Sequence, residues 1–328
     1  MKHAGTTAVH SGSEDGERSF LSRKLQALRK SFRKNRFLLL LALPMILFTF
    51  VFKYIPMAGS IVAFKRYQFN QGIFGSEWVG WNNFKFLIQS PDLGRLLRNT
   101  LGYNIIFIVL TLICAVGFAL LLYEVTSKGA LKAYQTIMFI PHFLSWVVVA
   151  FMAYAFLNAT SGMLNQLLEL VGLTRVDWYN TSGPWAFIFP LAHLWKEIGV
   201  ACLIYYAALM GIDPTYYEAA RIDGANRLQM VFRISLPFLY PIMTILTILA
   251  IGNILDADFG LFYQLPMNSP SILETTDVLD TYIFRALVEL GDIGMSSAAG
   301  LAKSVVGLVL VIGANALVRK ANEENALF

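Results

Sequence analysis

Residues 211–237 read GIDPTYYEAARIDGANRLQMVFRISLP, a polar stretch between two long apolar runs. Its residue types spell out a helix, a turn and a second helix. Asp213 followed by Pro214 is a helix start, because the carboxylate accepts a free backbone N–H and the proline ring presets φ at the first helical position. Gly224 is placed to end that helix in the left-handed conformation. Asn226 with Gln229 three residues on has the spacing of a capping box for a second short helix, and Pro237 marks entry into the next apolar run. Ala219 and Ala220 are small enough to let a partner backbone come close, with Glu218, Arg221 and Asp223 charged around them. Met230, Phe232 and Ile234 are expected to form an apolar docking face. A reversal held at both ends by apolar helices transmits force.

The flanking runs extend along most of the chain. Of its 328 residues 56% are hydrophobic and only 14% charged, against about 25% in soluble domains. Mean hydropathy is +0.57. This balance excludes an ordinary soluble protein and a disordered chain, and two cysteines, Cys114 and Cys202, are too few for a disulfide scaffold. Both sit inside apolar runs and read as small buried side chains. A spanning helix needs about 20 mostly apolar residues, and six such segments are predicted at 37–64, 97–123, 134–157, 184–210, 236–255 and 297–318. In the first, Lys53 is expected to snorkel and Pro56 to bend the helix. The expected fold is therefore an all-α polytopic membrane protein with six transmembrane helices, occupying 37–320 between a basic tail, 1–36, and a short tail, 321–328. The first apolar run lacks a small-residue cleavage site and reads as a signal anchor.

Charge position sets the expected topology. Arg18, Arg23, Lys24, Arg29, Lys30, Arg33, Lys34 and Arg36 abut the first span with no acid among them. This places the N-terminus in the cytoplasm beside anionic lipid, and not on nucleic acid. Lys128, Lys132, Arg221, Arg227, Arg233, Arg319 and Lys320 fall on the same side, so both termini are expected to be cytoplasmic. The opposite loop, 256–296, carries Asp256, Asp258, Glu274, Asp277, Asp280 and Glu289 against Arg285 alone up to residue 291. Lys65, Arg66, Lys85 and Arg95 in the first external loop depart from the rule. Three external segments, 81–88, 163–171 and 278–290, have apolar residues at helical spacing and are expected to be short helices.

The spacing of Glu218-Ala219-Ala220, Gly224 and Ile234-Ser235-Leu236-Pro237 resembles the coupling motif of permease subunits in bacterial binding-protein-dependent ABC importers. Further blocks, at 52–57, Trp195-Lys196, Thr276-Asp277-Val278-Leu279-Asp280-Thr281 and 303–308, are similar to the subgroup that handles oligo- and polysaccharides. The likeness spans residues 36–320. It implies a type I importer permease bundle with a cytoplasmic coupling helix, in the bacterial inner membrane, working by alternating access. Glu218, Ala219, Ala220, Asp223, Gly224, Ala225, Leu236 and Pro237 would then carry ATPase coupling. The implied partners are a second homologous permease, two ATPase subunits, an extracytoplasmic solute-binding protein and the saccharide, with alginate the expected cargo. No Gly-x-x-x-x-Gly-Lys-Ser/Thr loop occurs, so ATP and Mg are expected on the ATPase, with no cofactor, metal or catalytic residue in this chain.

For the substrate pathway, ionisable groups within spans are candidates by default. His193, Lys196 and Glu197 fall mid-way along the fourth span at spacings that allow one shared face. A Lys196–Glu197 or inter-helix ion pair that fixes packing is one reading of them, and a polar pathway lining is another. Trp146, Asn253, Asp256 and Tyr263 combine the aromatic faces and hydrogen-bonding rims that suit a pyranose, with Asn253 and Asp256 expected in the last turn of the fifth helix. Two other classes stay open at this point: a membrane-embedded component of polysaccharide synthesis, and an ion-coupled secondary transporter. The scarcity of buried carboxylates weakens both.

Overall fold

The computed structural model describes residues 35–289 and 291–321. The basic tail up to residue 34, Leu290, and residues 322–328 lie outside the described residues. The chain divides into two units, Met1–Ile61 and Val62–Phe328. In the first, helix α1, which continues to Phe64 as Arg36–Phe64, is apolar enough to cross a bilayer. Exposed Phe37, Leu40, Met45, Phe48, Phe52 and Met57 give it a lipid-compatible surface.

In the second unit a two-residue ladder, β1 (Lys65–Arg66) against β2 (Glu77–Trp78), is antiparallel with Lys65 opposite Trp78. Then follow α2 (Asn82–Gln89), α3 (Leu93–Tyr123), α4 (Lys128–Phe139), α5 (Trp146–Leu157), α6 (Met163–Leu170), α7 (Trp185–Met210) and α8 (Pro214–Ile222). A continuous helix, α9 (Arg227–Gly252), leads to α10 (Leu279–Val288) and α11 (Ile293–Ala321). Helices α2, α6 and α10 answer the three short helices expected from apolar spacing.

Among the described residues five helices are long and apolar enough to cross a bilayer, at the first, second, fourth, fifth and sixth expected spans, and two corrections concern the third and the fifth. The third is not one straight helix: α4 with its 3-10 extension and α5 meet at 98°. Pro141 has no N–H to continue α4, and the Ser145 hydroxyl accepts the Val148 N–H at 3.3 Å to start α5 afresh. The fifth does not begin at Leu236. Helix α9 starts at Arg227 and passes through a π turn, Val231–Ser235, so the short helix and the span are one element. Among the described residues the π turns Phe50–Tyr54, Val231–Ser235 and Gly260–Gln264 each end two residues before a proline, at Pro56, Pro237 and Pro266. Proline gives no N–H to the preceding turn and crowds its carbonyl, and widening that turn relieves both.

Two apolar clusters hold α3, α7 and their neighbours together. One packs Tyr103, Phe107, Trp185, Phe189 and Phe262. The other, toward the end of the bundle that bears α8, packs Ala115, Ala119, Cys202, Tyr205, Leu209 and Leu239. Gly199 lets α7 touch the backbone of α4, since a Cβ there would stand 2.1 Å from the Met138 carbonyl oxygen.

The acidic opposite loop is not a free anionic surface. Asp277, whose side chain is 1% exposed, pairs with Arg285 and with Arg95, 3.4 Å away. Asn99 donates to the carbonyls of Glu274 and Asp277, both at 2.9 Å. Arg95, an exception to the charge rule in sequence, is there to neutralise a buried carboxylate.

Candidate functional site

The 211–237 segment folds as its residues prescribe. The Asp213 carboxylate accepts the Thr215 N–H at 2.9 Å, and that bond holds its pKa below the ordinary carboxylate value. A depressed folded value means the cap is intact at neutral pH and is lost as pH falls through it. At the other end of α8, Ala225 N–H donates to the Ala220 carbonyl at 2.9 Å and Gly224 N–H to that of Arg221 at 3.1 Å, the paired bonds of a Schellman motif. Gly224 sits at φ 78°, where a side chain is strained. Asn226 and Gln229 then exchange two 2.8 Å bonds as a capping box that opens α9.

This knob is tied to the bundle and not hung from it. The Tyr217 and Ser235 hydroxyls are 2.9 Å apart, the Tyr217 ring packs on Tyr123 of α3, and Ile212 and Met230 are buried. Glu218, Ala219, Asp223 and Pro237 are exposed, whereas Ala220, Ala225 and Leu236 are half-buried. The expected docking face needs correction: Met230 is 7% exposed and Ile234 packs into the core, while Ile222 and Leu228 are 87% and 69% exposed. Met230 and Ile234, four residues apart, share the face turned to the bundle, and Ile222, Leu228 and Phe232 are left outward.

A cleft of about 410 Å³ opens between α3, α7 and α9. His193, Asn253 and Asp256 line it, together with Asn104, Thr111 and Glu197. The His193 ring stacks on Phe107 with centroids 4.1 Å apart. Asn253 caps α9, but Asp256 lies beyond the helix end and not in its last turn. Asn104 and Thr111 escaped the sequence reading, although seven residues on an α-helix is two turns, and that spacing puts both on one face of the second span.

The other three candidates are placed elsewhere. Lys196 does not share the cleft face of His193 and Glu197. It is 6% exposed, and its ammonium donates to the carbonyls of His142 and Leu144, each at 2.7 Å, where the α4–α5 break frees them. It also lies 5.4 Å from the Trp146 ring centroid. The Lys196–Glu197 pair is not made; Glu197 faces His142 Nδ1 at 3.3 Å. Trp146 donates its indole N–H to Asp258 at 2.7 Å. Tyr263 packs against Phe259 and Phe284. The polar ends of Lys196 and Trp146 are thus spent on holding helices together.

A spanning bundle, a capped helical knob continuous with one span, and a polar-rimmed cleft between spans define a membrane permease. Residues 124–323 match the family described as binding-protein-dependent transport system inner membrane component, and the chain belongs to it. It is similar to the polygalacturonan/rhamnogalacturonan transport system permease protein YteP of Bacillus subtilis (strain 168), 35% identical over 93% of this chain and 94% of that protein. Protein LplB of the same organism is 35% identical over 89% and 91%. The crystal structure of a bacterial ABC transporter involved in the import of the acidic polysaccharide alginate contains a chain of like fold, with a TM-score of 0.81 and 35% identity over 90% of this chain and 99% of that one. The same alginate transporter in complex with an alginate pentasaccharide-bound periplasmic protein superposes with a TM-score of 0.80 and 35% identity, over 89% of this chain and 97% of that one. The chain is thus a permease component of an ABC importer, and neither polysaccharide synthesis nor ion-coupled transport is favoured.

Proposed function

We propose that the chain pairs with a second permease subunit and two ATPase subunits, which carry ATP and Mg, to import a uronate-containing oligo- or polysaccharide, alginate among them. An extracytoplasmic binding protein delivers the cargo. In this reading both termini and the knob face the cytoplasm, and 256–296 faces outward. The names of the relatives support an acidic cargo, and the permease family supports the partners.

One observation carries the coupling step. Helix α9 starts in the knob at Arg227, and its far half lines the cleft with Thr247 and Ala250, followed by its cap Asn253. A displacement of α8 by an ATPase is handed through the Schellman turn and capping box to a cleft wall with no flexible joint between. Bistable packing of the spans turns that displacement into alternate opening to either side. Glu218, Ala219, Ala220, Asp223, Gly224 and Ala225 form the contact and its turn, with Leu236 and Pro237 seating the helix.

Gly224→Pro is the sharpest test, because proline holds φ near −65° where the turn needs φ 78°. In reconstituted vesicles this variant should insert normally and lose saccharide uptake while ATP hydrolysis continues. Unchanged uptake contradicts the assignment.

A further inference from the structure

Within the 303–308 block, Lys303 and Gly307 are one turn apart on α11. A Cβ on Gly307 would meet the Gly252 carbonyl oxygen at 2.9 Å, so the glycine is what lets α11 approach the end of α9. That approach brings the Lys303 ammonium, 14% exposed, to 2.6 Å from Asp256, with Asp280 of α10 on its other side. The turn bearing Asp256 is tied from further directions. Asn104 donates to the Ile254 carbonyl at 2.8 Å, and Asp280 accepts the Ala257 N–H at 2.7 Å. Asn253 and Asp256 on this turn line the cleft, and the Asp256 side chain stays 55% exposed. One cation between two carboxylates leaves a single net negative charge at this end of the cleft. Without Lys303 there would be two.

We propose that Lys303 is a positioning residue that determines specificity for charge: it holds and offsets the Asp256 carboxylate, so that an acidic saccharide can pass a cleft end whose doubled negative charge would otherwise repel it. The inference rests on the saccharide-permease reading above. Lys303 acts through Asp256 and not on the sugar itself. A neutral saccharide carries no charge to be repelled and is indifferent to the offset.

The test uses the complete importer in vesicles, with binding protein saturated either by a uronate oligosaccharide or by its carboxyl-reduced, neutral counterpart. Lys303→Met should slow initial uptake of the uronate about ten-fold and leave the neutral sugar within about two-fold. Lys303→Arg should keep wild-type selectivity. The double variant Lys303→Met with Asp280→Asn restores the single net negative charge and should recover uronate uptake, which a purely structural role would not allow. Equal loss for both sugars, or no recovery in the double variant, overturns the proposal. Failure of the parent reading is distinguishable, because it shows as no uptake of either sugar by the unmodified complex.

Discussion

Replacing Lys196 by Met should lower the stability of the folded chain by about 3 kcal/mol. The ammonium now satisfies the carbonyls of His142 and Leu144 at 2.7 Å each. Both are freed because α4 stops and α5 restarts at 98° to it. In an apolar surrounding no water replaces the lost donor, so each carbonyl keeps its desolvation cost. Methionine fills the volume of the lysine stem, which isolates the polar loss from a packing loss. Thermal unfolding in lipid nanodiscs should show a clearly lower midpoint for Lys196→Met, and none for Lys132→Met, whose side chain is exposed on α4. Equal midpoints would mean that the break holds itself.

Gly199→Leu should be at least as damaging, at about 3 kcal/mol or more. Its Cβ alone would fall 2.1 Å from the Met138 carbonyl oxygen and 2.6 Å from the carbonyl carbon, which are backbone atoms that no rotamer change can move. The α4–α7 contact must therefore open, and Lys196, on the preceding turn of α7, loses its reach to the break. Gly102 on α3 is the control, since a Cβ there meets nothing within 4 Å. Gly102→Ala should be neutral or slightly stabilising through helix propensity. The same nanodisc unfolding experiment reads both. A Gly199→Leu midpoint equal to that of the native chain would show that the two helices need not touch.

What the sequence made legible was local. Asp213, Gly224, Asn226 and Gln229 act within a few residues of themselves, so their types and spacing were enough to draw the knob. The apolar runs were long enough to mark each span. What stayed hidden depends on partners far along the chain. Arg95 and Asp277 lie 182 residues apart, and no periodicity links them. Lys196 stood between a packing role and a pathway role in sequence, because the carbonyls it satisfies exist only once α4 breaks. Pro141 and Ser145 were visible signals of that break, masked by unbroken hydrophobicity on both sides. Asp256 and Lys303 belonged to separate blocks of sequence, and only the close crossing at Gly252 and Gly307 joins them. The docking face was misplaced for a different reason: residues two apart on a helix point opposite ways, so Phe232 cannot share a face with Met230 and Ile234, and packing decides which of the two faces is buried.

The central claim is that α8 and the start of α9 are where an ATPase meets this permease. The most direct measurement is cross-linking from single cysteines placed in a chain whose Cys114 and Cys202 have been replaced by alanine. Ile222→Cys at the knob is compared with Leu170→Cys on α6; both positions are more than four-fifths exposed. With a short bifunctional reagent in the assembled complex, Ile222→Cys should give an adduct of permease and ATPase, and Leu170→Cys none. An ATPase adduct from Leu170→Cys, with Ile222→Cys unreacted, would contradict the account.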